Sequence, residues 1–319
     1  MPASEDVREP AIRLSGVSKS YSGHVAVQDL SLSVPRGGAF GLLGPNGAGK
    51  TTTLRMIMNV LAPDTGTIEI LGRPASQPGR DRIGYMPEER GLYPRMVVEE
   101  QLLFFAELKG VPRKEAARRL PPWLERLGLD AWRHRRLNEL SKGMQQKAQF
   151  IATVLHDPDV LILDEPLSGL DPIGVNVMRD VFVDLRRRGK TVVLSSHQME
   201  TVERLCDRVA LINRGEKILD GLVSDVKKQH GTNTLVVAFD GDGAFLASLP
   251  EVARVTDFGR YVEVKMRDGA DAQAILRQAA LRLRVSRFEI VEPSLHDIFV
   301  ARVTEHGSGP SSPAGVSTP

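Results

Sequence analysis

Gly44-Pro45-Asn46-Gly47-Ala48-Gly49-Lys50-Thr51 matches G-x-x-x-x-G-K-[ST] at every fixed position. An apolar run, Phe40 to Leu43, precedes it, and a helical pattern follows in which Leu54, Ile57, Met58 and Leu61 share one face. Strand, loop and helix in that order are the setting a phosphate-binding loop requires. Glycines let the backbone curl until its N–H groups converge on a polyphosphate. Lys50 adds a cation for the β- and γ-phosphates, the Thr51 hydroxyl offers a Mg²⁺ ligand, and the helix aims its positive end at the anion.

A second signal lies further on. Val160-Leu161-Ile162-Leu163-Asp164-Glu165 is an apolar strand that ends in two carboxylates. Asp164 is expected beside the phosphates as a metal ligand, and Glu165 close enough to polarise an attacking water. Between the two signals, Leu140-Ser141-Lys142-Gly143-Met144-Gln145-Gln146 opens a helix, with Ser141 as its N-cap. Met144 at the third helical position excludes a capping box.

With 319 residues, the chain has room for one large domain and a smaller one. Its hydrophobic content of 41% and charged content of 26% are those of an ordinary globular protein. The net charge of +2 gives no bulk field for nucleic acid, and no nucleic-acid partner is expected. Arg133-His134-Arg135-Arg136 and Arg186-Arg187-Arg188 read as solvated helix ends. Cys206 is the only cysteine, which excludes an internal disulfide; among Val202, Leu205 and Val209 it reads as core filler. No apolar segment has bilayer length and no signal peptide is read, so a cytoplasmic location is expected, with any membrane part on another chain.

Strand patterns at Ile12–Leu14, Leu30–Val34, Thr67–Leu71, Val160–Leu163 and Thr191–Leu194 alternate with helical ones. They predict an α/β fold with a mainly parallel sheet covered on both faces, complete by Leu211. Residues 97–155 read as a helical subdomain punctuated by Pro121-Pro122 and Gly128. Composition shifts near Gly221. Beyond it, strands at Thr234–Phe239, Val252–Asp257, Tyr261–Met266 and Arg287–Val291, with helices at Ala244–Leu249 and Ala272–Leu283, give a ferredoxin-like βαββαβ order. Its own apolar set is Val236, Phe239, Val262, Val264, Ile275, Leu281, Phe288 and Ile290, and Leu295–Val303 reads as a terminal helix. The expected domains are therefore 10–221 and 222–305, with loose residues 1–10 and a disordered tail over 306–319.

With these motifs assembled, residues 10–220 resemble the ATP-binding subunit of an ABC transporter. Leu140 to Met144 occupies the position of the family's Leu-Ser-Gly-Gly-Gln signature, and Ser168-Gly169-Leu170-Asp171 is similar to its loop across the dimer. His197 resembles the switch histidine at the γ-phosphate, and Tyr21 the aromatic that stacks on adenine. The resemblance implies ATP and Mg²⁺ as cofactors. It assigns Gly44, Pro45, Asn46, Gly47, Ala48, Gly49, Lys50, Thr51 and Thr52 to the nucleotide, together with Tyr21, Glu88, Ser141, Gly143 and Asp171. It implies Thr51, Asp164 and Glu88 around the metal, and Glu165, His197 and Lys50 in catalysis.

Two departures stand out. Lys142 and Met144 replace Gly and Gln in the signature, and Glu88 stands where the family has Gln. The wording Pro87-Glu88-Glu89-Arg90-Gly91-Leu92-Tyr93, with Pro293-Ser294-Leu295-His296-Asp297-Ile298-Phe299 near the C-terminus, resembles the subgroup linked to sodium and drug export. The resemblance implies an ATP-dependent dimer with a second copy, joined to a separate transmembrane permease on the inner face of the cell membrane. The rival reading is a soluble ATPase of the same family with a sensing or regulatory C-terminal domain. Relatives acting in translation or DNA repair usually carry two phosphate loops or a long inserted coiled coil, and this sequence has neither.

Overall fold

A computed structural model of the chain describes residues 9–77, 79–89, 91–229 and 234–307. The segments expected to be loose at the N-terminus and disordered beyond 307 lie outside the described residues, apart from 9 and 10; so does Arg90. The chain divides into two compact units, the first ending at Leu222 and the second beginning at Val223.

In the first unit, β1 (Ile12–Tyr21) and β2 (His24–Val34) form a long hairpin. β3 (Ala39–Leu43) leads through the phosphate loop into α1 (Lys50–Ile57). β4 (Thr65–Ile70), β5 (Arg73–Pro74) and β6 (Ile83–Met86) follow. Then come α2 (Val98–Leu108), α3 (Arg113–Arg126) and α4 (Lys142–Val154). The unit closes with β7 (Val160–Asp164), α5 (Pro172–Arg187), β8 (Thr191–Ser196), α6 (Met199–Leu205), β9 (Arg208–Asn213) and β10 (Glu216–Leu222).

Two sheets result. The first runs β10-β9-β3-β8-β7-β6, parallel throughout except for the antiparallel edge strand β10. The second is antiparallel, in the order β2-β1-β4-β5. The expected parallel sheet is present, but it ends at Leu222 and not at Leu211. The second sheet was not foreseen, because β1 and β2 expose alternate residues and only their most apolar ends stand out in sequence. Ile12, Leu14, Val27, Leu30, Leu54, Ile57, Ile162 and Ile212 fill the space between the sheets around α1.

The helical region departs from expectation at Pro121 and Pro122. Both lie inside α3 and do not end it. Proline in a helix interior forfeits a hydrogen bond and costs about 3 kcal/mol. Here burial of the Ala116, Leu120 and Leu124 face holds the helix through them. Phe150 of α4 packs edge-on against Trp123 of α3 and Phe182 of α5, which fastens these helices to one another.

The second unit contains α7 (Val223–Gln229), β11 (Thr234–Asp240), β12 (Val252–Asp257), β13 (Val262–Met266), α8 (Ala272–Arg282), β14 (Arg284–Val291) and α9 (Leu295–Gly307). Its antiparallel sheet has the order β12-β13-β11-β14, the ferredoxin-like arrangement, with a 3₁₀ turn at Ala244–Ser248 in place of the first helix. α9 continues to Gly307, past the expected start of the tail at 306. Leu281 does not join the core: α8 buries Ala272, Ile275 and Ala279, and two residues further round the helix faces solvent, leaving Leu281 79% exposed. Ile290, near the end of the edge strand β14, is also 48% exposed. Leu235 and Val237 fill the core with Val264 and Ile275.

Cleft residues all precede Leu222, so a chain ended after that residue is expected to unfold cooperatively and keep nucleotide affinity. Thermal unfolding with a fluorescent nucleotide titration tests this, and loss of binding on truncation would refute it. A second expectation concerns acid. His156, just beyond α4, is buried, with Nε2 3.3 Å from the Ile83 carbonyl, and burial pushes its pKa down from the ordinary 6.5 to about 4. The unfolded chain therefore takes up this proton first. The stability contribution is complete above about pH 6.5 and is lost as pH falls towards about 4. Denaturation midpoints of the parent should fall more steeply across that window than those of His156→Gln; parallel slopes would exclude the group.

Candidate nucleotide site

The phosphate loop has its shape because two glycines occupy positions no side chain could. Gly49 has φ 105°, and a Cβ there would lie 2.4 Å from the Ala26 carbonyl oxygen; Gly44, at φ 154°, would meet the Ile212 oxygen at 2.2 Å. Any other residue at either position would push the loop away from the strands that support it. α1 starts at Lys50, so the unpaired N–H groups of its first turn open onto the loop.

Lys50 is 6% exposed. Its Nζ donates to the carbonyls of Gly44 (2.8 Å) and Pro45 (3.1 Å), leaving one donor free, and lies 4.0 Å from Glu165 Oε1. Burial lowers its pKa, while Glu165, Asp164 and Glu88 oppose that shift and favour the charged form.

Asp164 and Glu165 leave β7 at its C-terminal end, beside the loop. Asp164 is fully buried. Its Oδ1 accepts from the Ser195 hydroxyl, while Oδ2 has no hydrogen-bond partner among the described residues. An anionic oxygen buried in that state is costly unless a cation meets it. Among the described residues no three His, Cys, Asp or Glu side chains cluster as a self-sufficient metal site. One buried carboxylate with a nearby hydroxyl on Thr51 fits Mg²⁺, which takes few protein ligands and completes its shell with water and substrate phosphates.

Glu165 has φ 48°, unusual for a residue with a side chain. The end of β8 holds it there. Ser195 Oγ accepts from its N–H at 3.1 Å, and its Oε1 accepts from the His197 N–H at 3.0 Å and stands 2.9 Å from His197 Nδ1. His197 is thus bound to the Glu165 carboxylate through one ring nitrogen, with its side chain 48% exposed.

A cleft of about 480 Å³ is lined by Tyr21, His24, Ala26, residues Asn46 to Thr52, Glu88 and Glu165. Gly44, Pro45, Asp164 and His197 are not in its lining, although each contacts Lys50 or Glu165 or, for Asp164, precedes Glu165 in the chain. Tyr21 is 44% exposed, with Lys19 Nζ 5.9 Å from its ring centroid. Ser141, Gly143 and Asp171 are not in the lining. Ser141 caps α4, accepting from the Met144 N–H at 3.3 Å, and Asp171 caps α5, accepting from the Gly174 N–H at 2.6 Å. These two helix starts touch: a Cβ on Gly143 would lie 3.0 Å from the Gly169 carbonyl.

Sequence reasoning passed over four residues. Ser195 orients both carboxylates, His24 lines the cleft, and Gln146 and Gln149 are buried polar side chains on α4. A polar residue within an apolar strand was the available signal for Ser195. The two glutamines interrupt an apolar helix face, which could have marked them.

Comparison with known proteins agrees with this geometry. The ABC transporter family matches residues 27–168, and the family described as ATP-binding protein DrrA1-3-like, C-terminal domain, matches residues 221–303. The ABC transporter ATP-binding protein YhaQ of Bacillus subtilis, described as uncharacterized, is 40% identical over 292 residues, covering 92% of this chain and 98% of its own. Nod factor export ATP-binding protein I of Paraburkholderia xenovorans is 38% identical over 277 residues, 85% of this chain and 91% of its own. Among solved structures, an ATP-binding subunit of an ABC transporter is 31% identical with TM-score 0.65, covering 69% of this chain and 93% of that one. CbiO1 of Clostridium perfringens, part of the ABC transporter complex cbiONQ, is 27% identical with TM-score 0.62, covering 70% and 94%. Family match, full-length relatives and fold converge: this chain belongs to the ABC transporter ATP-binding proteins.

Proposed function

We propose that this chain hydrolyses ATP as a dimer with a second copy of itself, and that the closing of the dimer drives a separate transmembrane permease that exports its cargo. One observation carries the chemical part: a fully buried carboxylate oxygen, Asp164 Oδ2, without a hydrogen-bond partner among the described residues, within the electrostatic reach of a buried lysine at a phosphate loop. The triphosphate seats on the loop N–H groups from Gly44 to Thr52, and the free donor of Lys50 meets the β- and γ-oxygens. Tyr21 stacks on the base. Thr51 and Asp164, with Glu88 of the cleft lining, would hold Mg²⁺, which would supply positive charge against the phosphate oxygens. Glu165 accepts the proton of the attacking water, and His197 keeps its carboxylate turned towards the γ-phosphate.

Ser141, Gly143 and Asp171 stand outside the cleft of their own chain, at adjoining helix starts. Their phosphate contacts are therefore assigned to the cleft of a second copy, where the N-terminus of α4 adds a positive pole. ATP bound between two copies holds them together, and its hydrolysis releases them. Among the described residues no helix is long and apolar enough to cross a membrane, in keeping with a permease on another chain. Tyr93, 56% exposed and stacked on Phe105, offers that chain an aromatic surface beside Glu88. Export from the cytoplasmic side is supported by the name of the Nod factor relative.

Glu165→Gln should bind ATP but lose at least about a hundredfold in kcat, since an amide cannot accept the proton. It should also accumulate as an ATP-dependent dimer in light scattering. Parental turnover in this variant would remove Glu165 from the mechanism. Shared sites have their own test. Ser141→Arg and Lys50→Ala should each be inactive alone, the second through lost nucleotide affinity, and a mixture should regain part of the activity by pairing one intact cleft with one intact Ser141. A silent mixture would count against the dimer.

A further inference from the structure

Behind the Ser141 cap, Gln146 and Gln149 lie on one face of α4, three residues apart and each 4% exposed. Gln146 Nε2 donates to the main-chain carbonyl of Glu165 at 3.2 Å. Gln149 Nε2 donates to the carbonyls of Pro87 at 2.9 Å and Glu89 at 3.3 Å, the residues before and after Glu88. An amide nitrogen has two hydrogens, and Gln149 commits both. The acceptors also fix the amide's orientation, because the reverse would set three oxygens against one another.

Gln149 has a cost that simple packing does not explain. Its Oε1 is buried without a hydrogen-bond partner among the described residues, a state that costs about 1–3 kcal/mol and that an apolar side chain would avoid. The two donated bonds are what that cost secures. Glu165 and Glu88 both face the Lys50 charge, and both line the cleft. Their backbones hang from the same helix through adjacent glutamines.

We infer that Gln146 and Gln149 are positioning residues that tie the helix carrying Ser141 to the backbones of Glu165 and Glu88, so that a displacement of α4 moves both carboxylates relative to Lys50. This rests on the ATPase reading of the cleft and adds to it a route by which contact at Ser141 reaches the chemistry. The helix start is where a second copy's nucleotide would touch. The link from there to Glu165 runs along α4 and through one hydrogen bond, from Gln146 to the Glu165 carbonyl, and each misplacement of reacting groups by about 1 Å can cost on the order of a hundredfold in rate.

The test uses the full chain and three measurements: kcat and KM for ATP, affinity for a fluorescent ATP analogue, and thermal unfolding. Gln149→Leu is expected to lower kcat about tenfold to a hundredfold, with nucleotide affinity within about twofold of the parent. Gln149→Glu provides a readout that packing alone would not move. A carboxylate facing two carbonyls cannot donate, whereas its protonated form can, and burial raises its pKa. Its kcat relative to the parent should therefore rise as pH falls from 8.5 to 6.5, above the range in which His156 titrates. If both variants keep parental kcat, or if the Gln149→Glu loss is independent of pH, the inference is overturned. Should Gln149→Leu fail to fold, the pH profile of Gln149→Glu decides. Absence of ATP turnover by the parent chain would instead strike the ATPase reading, a separate result from any of these.

Discussion

A lysine ammonium almost closed to water organises the first unit. Lys50 can remain charged there only because Gly44 and Pro45 turn carbonyls onto it and Glu165, Asp164 and Glu88 surround it with negative charge. Those groups come from three separate places in the chain: the loop after β3, the end of β7 and the segment after β6. The parallel sheet is what delivers them together. β3 and β7 flank β8 and all three point the same way, so their C-terminal ends form one edge. Ligands of open parallel sheets commonly sit outside that edge.

The central strand β8 contributes more than adjacency. Ser195, fully buried, accepts from the Glu165 N–H and donates to Asp164, and His197 just past the strand holds the Glu165 side chain. The carboxylates of one strand are thus aimed by the hydroxyl and backbone of its neighbour. That dependence explains why the strand Thr191–Ser196 is buried along its whole length, polar residues included. A shift of β8 by one residue would turn its side chains to the opposite face of the sheet and remove the bonds from Ser195.

Most of the candidate site was legible in sequence because it resides in contiguous motifs. The loop from Gly44 to Thr51 and the strand ending at Asp164-Glu165 each carry their residues within eight positions, and hydrophobic runs identify the elements around them. The βαββαβ order of the second unit was legible for the same reason: its strands are short, separated by turns and alternate in polarity. What escaped was whatever depends on partners far apart in the chain. The hairpin of β1 and β2 is stabilised by contact with β4 and by the core it covers, and its polar half looks like a loop. Pro121 and Pro122 obey burial over propensity. Leu281 shows the reverse error, an apolar residue counted as core whose helical phase turns it outward.

Glu165 occupies a left-handed backbone conformation for which a side chain is penalised by roughly 1–2 kcal/mol. Glycine at that position would adopt φ 48° without the penalty, so the backbone there favours a residue that has no carboxylate. Selection for thermal stability alone would push this position away from glutamate. A carboxylate there persists against a local thermodynamic gradient, which makes the site a place where gains in stability and gains in turnover pull in opposite directions.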